Sequence, residues 1–207
     1  MAKKILKIGL YLLLLMLVVP LSYNALTYIN FDFQYSFLRL KQQAIATGWY
    51  LPAYYSHVLL GGLILMIGLF QLNSKARQKW RTAHRWGGYF YVAGILFFAC
   101  PGGMVMSFFI GRGPVVLASF LTQGSLWFYF TYWAYRKIRE GKISEHRKWM
   151  LRSYALTFAA VTLRVYIFVF SAFFDLSQPL GYAILSWLSW TPNLLVMNEY
   201  LRRNPVA

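Results

Sequence analysis

The stretch that decides the reading is Ser144 to Arg164, SEHRKWMLRSYALTFAAVTLR. A basic, histidine-bearing lip runs without a break into an apolar helix that carries a further arginine deep inside it. An ionisable side chain within a membrane span is costly and faces a partner or a cavity, so Arg164 is the strongest single pointer to a site. The lip has an echo in RTAHRWGGYFYV, Arg81 to Val92, where a His-Arg-Trp cluster again leads into an apolar run. His146-Arg147-Lys148-Trp149 reads as a loose copy of His84-Arg85-Trp86.

Around these two stretches the chain is apolar throughout. Its 207 residues are 59% hydrophobic and 20% aromatic, with a mean hydropathy of +0.47. A spanning helix needs about 20 mostly apolar residues, and the apolar runs leave room for about six. The expected fold is therefore all-α, an integral membrane bundle of six transmembrane helices forming one domain over 1–207. Its first span is expected near 5–29 and its core bundle near 49–200. The first run, with Lys3, Lys4 and Lys7 before it, suits a signal peptide or a signal anchor and is read as a retained span. Residues 31–48 are the one sizeable polar stretch between spans, suited to a short amphipathic helix at the surface. The later spans are expected near 49–72, 87–110, 114–135, 149–173 and 182–200.

The net charge of +16 would suggest nucleic acid in a soluble protein. Here the basic residues sit in the short connections, which is the pattern of the positive-inside rule, so a lipid bilayer and no nucleic acid is the partner implied. Segments 1–7, 73–86, 136–152 and 198–207 hold 17 of the 21 Lys and Arg residues. That asymmetry puts both termini in the cytoplasm. Trp49, Trp80, Trp86 and Trp149 fall at predicted span ends, where an aromatic belt is expected. Cys100 is the single cysteine, which excludes an internal disulfide and a thiolate metal site.

Counting about 1.5 Å per residue from the span ends gathers His57, Pro101, Gln123 and Arg164 into one layer of the outer leaflet. Cys100-Pro101-Gly102-Gly103 should open the third helix there, since proline removes a backbone donor and glycine admits a close neighbour. Two readings stand. In one, Arg164 satisfies the broken helix while His57 and Gln123 are hydrogen-bonding glue; in the other, the layer is an outward-facing pocket for a small anion, quinone or lipid head group.

The second candidate layer is the cytoplasmic lip: His84, Arg85, His146 and Arg147, with Arg152 one turn inside. If the third and fifth spans are neighbours, two imidazoles face one another, the ligand set of a six-coordinate haem b. Nearby arginines would neutralise its propionates. Lipid-phosphate contacts and helix capping by Ser144 and Glu145 account for the same residues without a cofactor. The three histidines and five carboxylates show no HxxxH or HExxH spacing, and no GxSxG, Walker or dinucleotide motif is present.

HRWGGYFY, EHRKWMLRSYALTFAAVTLR and the late WTPNLLVMNEY together resemble the bacterial membrane proteins grouped as domain-of-unknown-function family 2306. The resemblance covers about residues 50 to 200 and implies a fold without an activity. The chain is also similar to the ascorbate-reducible two-haem transmembrane cytochromes b, whose second and fourth spans share one haem and whose third and fifth share another. That similarity implies haem iron ligands at His84 and His146, with His57 at a third ligand position. Gln123 departs from the pattern at the fourth, so only the inner pair carries over, as a membrane oxidoreductase passing electrons across or along the bilayer. A cofactor-free carrier or accessory subunit, working as a homo-oligomer or within a larger membrane complex, is the alternative.

Overall fold

The computed structural model describes residues 2–73, 78–173, 176 and 178–204, with backbone alone at 2–7, 10 and 179. The side chains of Lys3, Lys4 and Lys7, and all of Lys75, Arg77 and Asp175, lie outside the described residues. Among those described, the chain is helical and has no strand. We number the long helices α1 (Ala2–Leu26), α2 (Tyr50–Leu72), α3 (Arg81–Ser107), α4 (Pro114–Arg139), α5 (Ile143–Phe170), α6 (Pro179–Leu188) and α7 (Thr191–Arg203). Among the described residues, four stretches are long and apolar enough to cross a membrane: Tyr11–Asn30, Tyr50–Leu72, Arg81–Ser107 and Ile143–Phe170. Helix α4 is 26 residues long but is diluted by Thr122, Gln123, Ser125 and a basic last turn. The sixth expected span is two short helices, α6 and α7.

Three of these rods are interrupted, each for a local reason. In α3 a wide π turn, Ile95–Ala99, precedes Cys100 and Pro101, absorbing the missing proline donor. The third span begins earlier than the apolar pattern suggests, at Arg81, because the cluster before Trp86 is already helical. Helix α5 breaks at Phe158, between Ile143–Thr157 and Ala159–Phe170. Just before it Thr157 donates its hydroxyl to the Ser153 carbonyl at 3.1 Å, the back-bonding that bends helices, and just after it Thr162 donates its hydroxyl to the Ser189 carbonyl at the end of α6. Between α6 and α7, Pro192 cannot donate to the Leu188 carbonyl, and the chain restarts at Thr191.

The polar stretch 31–48 is built mainly of 3-10 turns, Ser36–Lys41, with a single α turn at Gln42–Ile45. It is pinned by Leu38, which is fully buried against Tyr28, Tyr50 and Tyr54.

The centre of the bundle is tied by hydroxyls. Tyr91 of α3 places its hydroxyl 3.1 Å from Ser153 Oγ and 2.8 Å from Thr157 Oγ1 of α5. Trp127 of α4 donates its indole N–H to Thr157 Oγ1 at 2.9 Å, and Thr131 Oγ1 lies 2.8 Å from Ser153 Oγ. Tyr154 donates to the Leu65 carbonyl of α2 at 3.3 Å. Between tails as apolar as leucine, such contacts and close backbone approach are what hold helices together. Gly68 supplies the approach: a Cβ there would overlap the Tyr154 ring and lie 3.0 Å from the Tyr91 ring. Cys100 adds a thiol contact of 3.2 Å to the Gly124 carbonyl of α4.

Gly68→Ala should therefore destabilise the detergent-solubilised protein by about 1–3 kcal/mol, the usual cost of overpacking. Gly61→Ala, where a Cβ meets nothing within 4 Å, should change stability by no more than about 0.5 kcal/mol. Denaturant titrations followed by circular dichroism distinguish the two, and equal effects would contradict the packing described.

Candidate functional site

Arg164 sits in the C-terminal half of α5, beyond the Phe158 break. Its Nη1 donates to the Ala160 carbonyl of its own helix at 2.9 Å. Among the described residues the ion pairs are Glu140 with Lys137 and Lys142, Glu145 with Lys148, and Glu199 with Arg202 and Arg203. None involves Arg164. The groups close enough to feel its charge are the phenols of Tyr28, Tyr54 and Tyr182 and the imidazole of His57. The side chain is exposed, with tyrosines of the 3-10 turn Thr27–Asn30, of α2 and of α6 within reach of its charge.

The walls of this region are aromatic. Tyr28 and Tyr54 meet edge to face at 5.2 Å, and Tyr50 packs against Tyr54 at 6.0 Å. At the rim, the Arg112 guanidinium lies 5.2 Å from the centre of the Tyr182 ring, and its Nη1 donates to the Leu176 carbonyl at 3.2 Å. Lys41 donates its ammonium to the Phe109 carbonyl at 2.9 Å. Partial burial, and then the charge of Arg112, push the Lys41 ammonium below its usual range. Three cations therefore share one end of the bundle.

The expected layer of four forms only in part. His57 meets the break in α3: its Nδ1 is 2.7 Å from the Ala99 carbonyl, and a Cβ on Gly103 would come within 2.5 Å of that nitrogen. It is His57, not Arg164, that answers the opened helix next to Pro101, because Gly102 and Gly103 bring α2 against α3 there. Gln123 donates to the Leu156 carbonyl at 3.4 Å. It joins α4 to α5 below the break, eight residues or roughly 12 Å along the helix from Arg164, and so belongs to the packing. Depth counted from the expected span ends misses this offset, which is set by the residues of α4 and α5 that pack together.

At the other end, His84 and His146 are each the fourth residue of their helix, and each donates its backbone N–H to the residue before the helix, Trp80 or Lys142, at 2.9 Å. Seven residues further along stand Tyr91 and Ser153, which touch. Seven residues is about two turns, so the two histidines occupy corresponding faces at one mouth. His146 Nδ1 lies 2.8 Å from the Ala134 carbonyl of α4. A carbonyl only accepts, so this nitrogen carries the proton and Nε2 presents a lone pair, the second-shell arrangement that metal-binding histidines use. The Tyr91–Ser153 contact sets the inner limit of any space between the two histidines.

The arginines of the lip do not converge on that mouth. Arg152 donates Nε to Asn198 Oδ1 of α7 at 2.8 Å and stacks 5.1 Å from the Trp149 ring. Arg85 turns to a separate groove on the outer face of α3, leaving Arg147 as the arginine nearest in sequence to either histidine that is exposed and not so diverted. Trp149 itself packs between Tyr129 and Phe130, at 5.8 and 5.7 Å, whereas Trp49, Trp80 and Trp86 are exposed as belt residues. Sequence reasoning misses the phenols around Arg164 and the hydroxyl network. Only the network leaves a trace in the sequence, in the i, i+4 pairs Trp127/Thr131 and Ser153/Thr157.

Residues 54–201 match the family model described as a predicted membrane protein, DUF2306. No curated protein and no solved structure matches the chain.

The carbonyl partners of His57 and His146 fix their tautomers. Nitrogen NMR of the histidine-labelled protein at neutral pH should show both rings protonated at Nδ1, and Nε2-protonated rings at either position would contradict the geometry.

Proposed function

Since the chain belongs to the predicted membrane proteins of family DUF2306, we propose that it is a multi-pass protein of the bacterial inner membrane that binds a small organic anion in a cleft around Arg164. In this reading α4 and the broken pair α6–α7 complete six crossings. The basic connections face the cytoplasm and the cleft faces the opposite side. One observation carries the proposal: an arginine within an apolar helix whose one guanidinium bond goes to its own Ala160 carbonyl. A guanidinium has five N–H donors in a planar fork that matches a carboxylate or phosphate. Tyr182, partly exposed, supplies a hydroxyl and a ring face beside it, backed by the buried pair Tyr28 and Tyr54. Lys41 and Arg112 raise the local concentration of anions at the mouth.

The test is ligand-induced stabilisation of the detergent-purified protein across phosphate, sulfate, acetate and benzoate. A ligand at a hundred times its Kd stabilises by about 2.7 kcal/mol. At least one of these anions should raise the melting midpoint. Arg164→Gln should weaken that binding by about tenfold or more, the loss of a charge-assisted hydrogen bond, while His84→Ala and His146→Ala leave it intact. A wild-type protein indifferent to all four, or an unaffected Arg164→Gln, overturns the proposal.

A second reading is supported by His146, whose Nδ1 is held by a backbone carbonyl while His84 stands at the equivalent place on α3. In it the two imidazoles hold haem b at the cytoplasmic mouth, Arg147 faces a propionate, and the protein is a membrane oxidoreductase. A bound haem supplies one-electron transfer; the chain supplies axial nitrogens and a fixed tautomer. Expression with haem supplied should then give a Soret band that His84→Ala or His146→Ala removes, and a colourless protein ends this reading.

A further inference from the structure

Two adjoining grooves run along the face of α3 that turns away from α5. The first, about 350 Å³, is lined by Arg81, Thr82, Arg85, Trp86 and Tyr89. The second, about 590 Å³ and open along its length, is lined by Trp86 and Tyr89 again together with Ile67, Gly87, Phe90 and Ala93. Trp86 and Tyr89, edge to face at 6.0 Å, are their common wall. Arg81 and Arg85 are four residues apart and stand as neighbours on one helix face. At the apolar groove Gly87 carries no side chain, and Gln71 of α2 comes in against it.

We propose that this face holds one anionic phospholipid from the leaflet that borders the basic connections. Its phosphate sits between Arg81 and Arg85 beside the Thr82 hydroxyl, and an acyl chain lies against Phe90 and Ala93. The order of chemistry along the helix matches such a molecule: cations first, an aromatic collar, then apolar surface. From Arg81 to Ala93 the helix rises roughly 18 Å, comparable with one leaflet of a hydrocarbon core about 30 Å thick. No acidic side chain lines either groove, so the charge is complementary to a phosphate and repels no part of it. A free phosphate would use only the first groove, and the continuity of the two argues for the lipid.

The full chain is incubated in detergent with equal amounts of phosphatidylglycerol and phosphatidylcholine, and retained lipid is read by native mass spectrometry. Wild type should retain phosphatidylglycerol in excess. The Arg81→Gln/Arg85→Gln pair should lose that preference by on the order of tenfold, since each basic residue near an anionic head group is worth about 1 kcal/mol. Ala93→Phe, at an exposed position, should reduce retention of both lipids with an unchanged circular dichroism spectrum. Equal retention of the two lipids by wild type, or a preference that survives the double substitution, overturns the proposal. So does displacement by millimolar inorganic phosphate together with an indifferent Ala93→Phe, which identifies a free-anion site. A lipid-free dimer that Ala93→Phe dissociates overturns it in favour of an interface between copies.

Discussion

The contact on which the structure depends is the buried hydroxyl network in which Tyr91 of α3 meets Ser153 and Thr157 of α5, with Trp127 and Thr131 of α4 closing it. Lipid offers these groups no hydrogen bonds, so they satisfy one another or leave a polar atom unpaired in hydrocarbon. The network sets α3 and α5 a tyrosine's length apart and makes α4 their shared neighbour. Gly68 then lets α2 press onto the Tyr91 and Tyr154 rings. With the middle closed, chemistry is confined to the two ends.

Beyond the network the helices stop being regular. The π turn of α3, the break of α5 at Phe158 and the gap between α6 and α7 all fall on its outer side. Their backbone groups are met from within the protein. His57 takes the Ala99 carbonyl, Thr162 donates to the Ser189 carbonyl, and Asn193 donates to the Ala155 carbonyl at 3.3 Å. Irregular backbone at membrane depth is tolerated where it is buried in protein or lines a cavity. Beyond Phe158, α5 carries Arg164 into the neighbourhood of Tyr28, Tyr54 and Tyr182.

Much of this is legible in the order of residues alone. Hydropathy marks the apolar rods, the echo of HRKW in HRW marks two helices that begin alike, and the apolar setting of Arg164 marks it as a site. The rest is hidden for tertiary reasons. Depth counting places Gln123 beside Arg164 because it measures each helix from its own expected end, whereas the partner of Gln123 is the Leu156 carbonyl, about two turns nearer the start of α5. Pro101 announces an opened helix but not its partner, which depends on the Gly102–Gly103 surface admitting α2. The three tyrosines are 26 or more residues apart in the chain, and nothing in their local context brings them together.

The central claim is that Arg164 lines a water-filled cleft open to the side opposite the basic connections. Its most direct test is labelling of Arg164→Cys, in a Cys100→Ala background, by a charged, membrane-impermeant thiol reagent added to one side of oriented vesicles at a time. The account predicts rapid modification from the side opposite the basic connections and none from the other. A thiol unreactive from both sides, or reactive from the side of the basic connections, would contradict it.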